Sequence, residues 1–456
     1  MNNILYLVHC VDTEGPLYES LEATFERIEK AFGLHFEPSE NQLQRLQQGR
    51  DLPNELKKVV MDFLCPSRLK YNSNWEQLDS MINDMMGEKW RMRYSDDFGR
   101  PYTFSWYMLD HVGYSDNPRR RTIGYHALYD YYYSKLKHYG VENDSIYWHH
   151  HPPSLYREAH KLSNNFSYYN EHLVVLSRRI IDRLHFPASF RPGNHLERPD
   201  INFFLEQWIP FDYGNQGMQE RPEDSAQKDM GKGRGGDWRG ATSEWESYHP
   251  DFYDYQKKGA MKRYIARCLN LDARLRPITE EEIEKAFDRA TRKATILSVT
   301  SHDEREMRDP INWFMQTIRG VQKRYPSVKL SHQNAVDALR LCENIKAENP
   351  TQLSFDWQGS TLHIQANKEI WGPQPFFCFK TRNRQYVFEN LDFQGELQWS
   401  FSFDEDTLNI DEVDAIGIAT NDNYGNSSVY RILPHTSKDK LEVAFLNTNA
   451  PRWMPN

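Results

Sequence analysis

The chain has 456 residues, of which 39% are hydrophobic, so we expect two domains or one large barrel with an added module. A formal net charge of -9 at pH 7, with no face or tail rich in Lys and Arg, argues against nucleic acid as a partner. The five cysteines lie far apart without a CxxC pair, which is typical of reduced thiols in a cytoplasmic protein.

The N-terminal segment begins with an apolar run over 4–11, which predicts a buried strand. Asp12 follows too soon for a signal peptide. No apolar run approaches the roughly 20 residues that span a bilayer, so we expect no membrane partner.

The first two-thirds of the chain alternates apolar runs with amphipathic helical segments. The later runs are 102–109, 145–149, 188–190, 210–213 and 294–300. The helical segments include 21–32, 75–86, 125–139 and 170–184. Thr279 and Glu282 form a capping box that opens a further helix. Alternation of this kind predicts a parallel sheet, either open or closed into a barrel.

The last hundred residues have a different pattern, with short β-rich runs and no convincing helix. The runs are 353–357, 361–366, 376–379, 385–393, 397–403, 415–419, 428–432 and 441–445. They predict an antiparallel β-sandwich over 349–456, after a barrel domain over 1–348. Residues from about 216 to 248 are rich in Gly and charge and lack GxxxxGK[ST], so we expect a long loop insertion in the barrel.

Polar residues collect where the apolar runs of the first domain end. The clusters are Asp12-Thr13-Glu14, Asp110-His111, His149-His150-His151, Arg191 to His195, Asp212-Tyr213 and Ser301-His302-Asp303. Because active sites of parallel barrels lie at the carboxyl ends of the strands, these clusters predict one shared site. Around it, six residues are predicted to contact a substrate: Asp110, His111, Trp148, His195, Tyr213 and Asp303.

The spacing within two clusters indicates a metal. Asp12 and Glu14 project to the same face of a strand, as do His149 and His151, while His150 points away. A carboxylate and two imidazoles with an open position are typical of catalytic zinc sites. A second carboxylate can then accept a proton from water, and a distant histidine can protonate a leaving group. Each cluster alone also fits a structural role, such as a helix cap or a surface loop.

In these motifs the chain resembles the polysaccharide deacetylase family, the nodulation-type carbohydrate esterases. The motifs that carry the resemblance are Val11-Asp12-Thr13-Glu14-Gly15, Trp148-His149-His150-His151-Pro152, Phe190-Arg191-Pro192-Gly193 and Leu297 to Asp303. Their order and approximate spacing cover residues 1 to about 310. The resemblance implies a distorted (β/α) barrel and removal of acetyl groups from N-acetylated sugars, as in a divergent branch that acts in surface-polysaccharide metabolism.

The resemblance also implies residue roles. Asp12 is the expected general base, oriented by Arg191, and His302 is the expected acid. Glu14, His149 and His151 are the expected ligands of a divalent metal, with zinc the first choice. The chain departs from the family in having Asp-Thr-Glu in place of adjacent aspartates and histidines two rather than about four residues apart, so the choice of ligands within the triplet stays open.

Other functions also fit the sequence. Another metal-dependent barrel hydrolase is one alternative, either an amidohydrolase or a glycosidase that uses paired carboxylates. A non-catalytic carbohydrate-binding protein is a second alternative. The expected partner is a saccharide substrate, and the sequence leaves homo-oligomer formation open.

Overall fold

Strand β1 (Ile4–Thr13) lies at the centre of the fold, and all ten of its residues are buried. A largely apolar sequence of this kind is typical of a parallel strand covered on both faces. In the structure, a computed structural model, β1 pairs in parallel with three other strands. The structure describes residues 3–110, 124–151, 170–218, 238–271, 273, 276–346, 348–434 and 440–448.

The other parallel strands are β2 (Phe104–Asp110), β3 (Ser145–His150), β4 (Ser189–Pro192), β5 (Phe211–Asn215), β6 (Tyr264–Arg267), β7 (Leu269–Asn270), β8 (Thr295–His302) and β9 (Lys329–His332). They follow the order β6-β5-β4-β3-β2-β1-β8-β7, and β9 pairs with the first half of β1. Because a single residue separates β6 from β7 along the chain, the two ends of this order meet, and the sheet is a nearly closed barrel.

Helices surround this barrel. They are α1 (Leu21–Phe32), α2 (Glu40–Gln47), α3 (Asn54–Phe63), α4 (Trp75–Met86), α5 (Glu88–Arg93), α6 (Tyr125–Tyr139), α7 (Asn170–Arg183), α8 (Pro199–Trp208), α9 (Glu280–Ala290), α10 (Arg308–Gln322) and α11 (Ala335–Cys342). Thr279 caps α9 by accepting a hydrogen bond from the backbone N–H of Glu282, as the sequence predicts. Among the described residues, the helices are too short or too polar to cross a membrane.

The predicted alternation of strands and helices is therefore confirmed as a barrel-like α/β fold, while the deacetylase type of barrel stays a prediction. Strands β6, β7 and β9, which are two to four residues long, are not among the strands that the sequence predicts. Of the expected loop insertion, residues 219–237 lie outside the described residues. The described parts at 216–218 and 238–248 hold no helix or extended strand.

The remaining strands are antiparallel, as predicted. They are β10 (Leu353–Gln358), β11 (Thr361–Ala366), β12 (Phe376–Thr381), β13 (Tyr386–Glu389), β14 (Asp392–Gly395), β15 (Gln398–Ser402), β16 (Val413–Asn421), β17 (Ser427–Leu433) and β18 (Lys440–Leu446). They form a four-stranded sheet, β10-β11-β15-β14, and a five-stranded sheet, β13-β12-β16-β17-β18. The single run expected over 385–393 is wrong, because it is divided between β13 and β14, which belong to different sheets.

The five-stranded sheet packs directly on the barrel helices. Its Phe376 and Val429 share one apolar cluster with Ile180 of α7 and Phe204 of α8. Gly417 of β16 lies against α7 in this contact. The expected domain division at residues 348 and 349 stays a prediction, and both apolar and polar contacts join the two parts: Asn421 Nδ2, for example, donates to the backbone oxygens of Pro187 and Trp208.

A methyl group at Gly417 should weaken this packing. A Cβ atom there would lie 2.7 Å from Cγ1 of Ile181 and 2.8 Å from Cγ2 of Ile180, closer than carbon atoms normally approach. We expect Gly417→Ala to lower the free energy of unfolding by about 1–3 kcal/mol, measured by urea denaturation. Gly320→Ala is the matched control, because its Cβ meets nothing within 4 Å on α10 and should stabilise the helix. Equal effects of the two substitutions would contradict the packing described here.

Candidate metal centre and active site

Three buried side chains converge at the carboxyl ends of β1 and β3. Glu14, His149 and His151 each offer one ligand atom, and these atoms lie within 4.8 Å of one another. His149 Nε2 is 3.7 Å and His151 Nε2 is 3.6 Å from Glu14 Oε1. A tetrahedral zinc ion with bonds of about 2.0–2.1 Å separates its ligand atoms by about 3.3 Å. The group can therefore hold a metal ion after small side-chain movements.

The orientation of His149 also fits a metal ligand. Its Nδ1 lies 3.1 Å from the backbone oxygen of Arg191, and because that oxygen can only accept, Nδ1 carries the hydrogen. Nε2 then has a lone pair, and this buried atom has no hydrogen-bond partner among the described residues. A hydrogen bond from the far nitrogen to a carbonyl is the usual way in which proteins orient a metal-binding histidine.

Within the triplet, the structure separates the three histidines as the strand pattern predicts. His150 lies on the opposite face of β3, packed between the rings of Trp148 and His172. Burial lowers the pKa of His150 well below its usual value. The pair that faces Glu14 is therefore His149 and His151.

Asp12 lies beside the three candidate ligands and forms a bidentate ion pair with Arg191. Arg191 Nε is 2.8 Å from Oδ1 and Nη2 is 3.1 Å from Oδ2 of Asp12. Both residues are buried. Burial alone raises the pKa of Asp12, but Arg191 and His149 outweigh it, so the pKa lies below its usual value. Asp12 is thus an ionised carboxylate held in one orientation, as expected for a residue aligned by Arg191.

Two more histidines are close to Asp12. His302 Nε2 is 3.8 Å from Asp12 Oδ2, and its side chain is 26% exposed, so solvent reaches it. Burial lowers the pKa of His302 to about 4, although Asp12 partly offsets this effect. His195 lies near enough to Arg191 and Asp12 for their charges to influence its pKa. The structure thus brings the three predicted catalytic residues and the three predicted ligands to one place.

Asp303 fixes the backbone at the end of β1, while its contact with substrate stays a prediction. Its Oδ1 accepts hydrogen bonds from the backbone N–H groups of Glu14, at 2.5 Å, and Gly15, at 3.0 Å. Its Oδ2 accepts from the hydroxyl of Tyr132 at 2.6 Å. Asp303 therefore ties the end of β8 to the end of β1 and fixes where Glu14 projects.

Asp110 and Trp148 lie on the outer face of the barrel sheet, opposite to His149. Asp110 accepts hydrogen bonds from Trp148 Nε1, at 2.5 Å, and from Arg179 of α7, at 2.6 Å. Burial raises the pKa of Asp110 to about 6, although Arg179 opposes this. These contacts join the sheet to α7, so the substrate-binding role expected for both residues has no support in their placement.

Tyr213 also has a structural contact. Its hydroxyl donates to the backbone oxygen of Ala335, 2.6 Å away, and its own backbone oxygen accepts from Arg191 Nη1 at 2.6 Å. The backbone of Tyr213 therefore helps to hold Arg191 from inside the barrel, and its hydroxyl is hydrogen-bonded to Ala335. His111 lies outside the described residues.

Comparison with known proteins does not assign this site. No protein-family model matches the chain, and no curated protein matches it.

Sequence reasoning missed several residues that build the site. Tyr132, which donates to Asp303, lies far from the strand-end motifs in sequence, and no local pattern marks it. Gly193 belongs to the Arg-Pro-Gly segment of the sequence motif, but the motif does not show that Gly193 packs against His151. A Cβ atom at Gly193 would overlap the His151 ring, so only glycine lets this imidazole lie beside β4.

Gly193→Ala should therefore displace His151 and weaken metal binding. We expect zinc affinity, measured by calorimetric titration of metal-free protein, to fall by about 10–100-fold, the range found when the support of a ligand is lost. Gly124→Ala is the control, because a Cβ there meets nothing within 4 Å. Unchanged affinity in Gly193→Ala would contradict the assignment of His151 as a ligand.

Proposed function

We propose that this protein is a metal-dependent hydrolase that removes the acetyl group from an N-acetylated sugar. The observation that carries the proposal is the convergence of Glu14, His149 and His151 beside the Asp12–Arg191 ion pair and His302. Zinc is the proposed metal, because two imidazoles and one carboxylate with an open position are a typical catalytic zinc ligand set. The acetamide substrate rests on the motif resemblance described above.

A bound zinc ion would activate a water molecule and polarise the acetyl carbonyl. Asp12 would accept a proton from the attacking water, and Arg191 would keep the carboxylate aligned for this transfer. His302, whose Nε2 lies 3.8 Å from Asp12 Oδ2, would take up the proton that leaves the water and pass it to the sugar nitrogen as the C–N bond breaks, which yields acetate and a free amine. Because His302 is partly exposed while Asp12 is buried, the substrate would enter from the side of His302.

The different roles proposed for Asp12 and Glu14 predict different effects of single substitutions. Asp12→Asn should reduce acetate release by at least about 100-fold, because the amide cannot accept the proton. Zinc should still bind at one ion per chain, since the three ligands are unchanged. Glu14→Gln should weaken both zinc binding and acetate release. Acetate release is measured over a panel of N-acetylated sugars, together with metal analysis of each variant.

The triplet supplies a matched control. His149→Gln should lose zinc, whereas His150→Gln should keep it, because His150 lies on the other face of β3. The proposal of a metal-dependent hydrolase would be rejected if Asp12→Asn kept full activity and if chelators also left the protein active. Wild-type protein that binds glycans but contains no zinc would favour the carbohydrate-binding alternative, and cleavage of other amides or of glycosidic bonds would favour the other barrel hydrolases.

A further inference from the structure

The neighbours of His195 determine which of its two ring nitrogens carries the hydrogen. Burial lowers its pKa to about 3, so the imidazole is neutral at neutral pH. A neutral imidazole has one N–H donor and one acceptor nitrogen, and its hydrogen-bond partners decide which is which.

A chain of two amides leads from the backbone to this ring. Gln216 Nε2 lies 2.5 Å from the backbone oxygen of Cys268. Because that oxygen can only accept, the Gln216 amide is oriented with its nitrogen towards Cys268 and its Oε1 towards Asn270. Asn270 Nδ2 lies 3.3 Å from this Oε1 and donates to it.

The same amide nitrogen of Asn270 lies 3.3 Å from His195 Nε2. An amide nitrogen donates and does not accept, so Nε2 is the acceptor and the hydrogen of the ring is on Nδ1. Nδ1 is shielded from solvent and has no hydrogen-bond partner among the described residues. A buried donor without a partner is costly for a folded protein, which suggests that a ligand completes it.

The backbone of His195 is also held in an unusual conformation. Its φ is 53°, in the left-handed region that residues other than glycine rarely adopt. Trp238 Nε1 donates to the His195 backbone oxygen at 2.9 Å and helps to hold this conformation. Strained backbone of this kind is concentrated at functional sites.

We propose that His195 is a neutral hydrogen-bond donor to the acetyl carbonyl oxygen, and that Gln216 and Asn270 are positioning residues that keep the hydrogen on Nδ1. This inference rests on the proposed deacetylase function and adds a donor to the site. The carbonyl oxygen gains negative charge as water attacks, and an oriented N–H donor stabilises it more in the transition state than in the bound substrate.

The hydrogen position is tested first, without any substrate. Nitrogen NMR of full-length protein with ¹⁵N-labelled histidine should show a protonated Nδ1 and an unprotonated Nε2 for His195, with the signals assigned by their loss in His195→Leu. In Asn270→Leu the amide donor is absent, and hydrogen should shift towards Nε2, the position that free histidine favours. A wild-type ring with its hydrogen on Nε2 would overturn the proposal.

Steady-state kinetics then test the role of the donor. His195→Leu should lower kcat by about 100-fold with little change in KM, as in loss of an oxyanion donor. His195→Asn should recover part of this loss, because its amide nitrogen can occupy the place of Nδ1. The kcat of Asn270→Leu should lie between the kcat of the wild type and that of His195→Leu. His138→Leu is the control, since His138 lies exposed on α6 and should change neither kcat nor KM.

Metal content and the midpoint of thermal unfolding are measured for every variant, so that loss of zinc or of folding is recognised. Folded, zinc-loaded His195→Leu with wild-type kcat, or with a change in KM alone, would overturn the role of His195. Wild-type protein that releases no acetate from any N-acetylated sugar would instead reject the proposed function, and the NMR result would still decide the position of the hydrogen.

Discussion

The ion pair between Asp12 and Arg191 is the interaction on which the geometry of the site depends. It spans the mouth of the barrel, because β1 and β4 are separated in the sheet by β2 and β3. Removal of one partner from a buried ion pair leaves an uncompensated charge, which costs about 3–5 kcal/mol. The backbone oxygen of Arg191 also orients His149, and Asp12 lies two residues before Glu14. The ion pair therefore fixes the proposed base beside the metal ligands.

Much of this arrangement could be predicted from sequence because strands impose strict alternation. The two-residue spacing of Asp12 and Glu14, and of His149 and His151, places each pair on one face, and in the structure Glu14, His149 and His151 lie together beside Asp12. The barrel-like α/β fold could be predicted for a similar reason, since long buried strands and amphipathic helices leave clear periodic patterns. Strand β9 has only four residues, and its pairing with β1 depends on contacts distant in sequence.

The contacts of single polar side chains could not be predicted in this way. Asp110 and Asp303 both follow strands, so their positions in sequence suggest the same role. The structure gives them different ones, because Asp110 faces Arg179 outside the sheet and Asp303 faces the backbone of Glu14. The direction of a carboxylate at a strand end depends on which cation or N–H group lies near it. That neighbour comes from a distant part of the chain.

X-ray absorption spectroscopy of zinc-loaded protein tests whether Glu14, His149 and His151 bind a metal ion, as we propose. We expect one zinc ion per chain with two imidazole nitrogens and a carboxylate oxygen at about 2.0–2.2 Å, and a fourth light atom. His149→Gln should remove the ion, whereas His150→Gln should leave the spectrum unchanged. Sulfur ligands, no bound zinc, or an identical spectrum in His149→Gln would show that these three residues do not bind the metal.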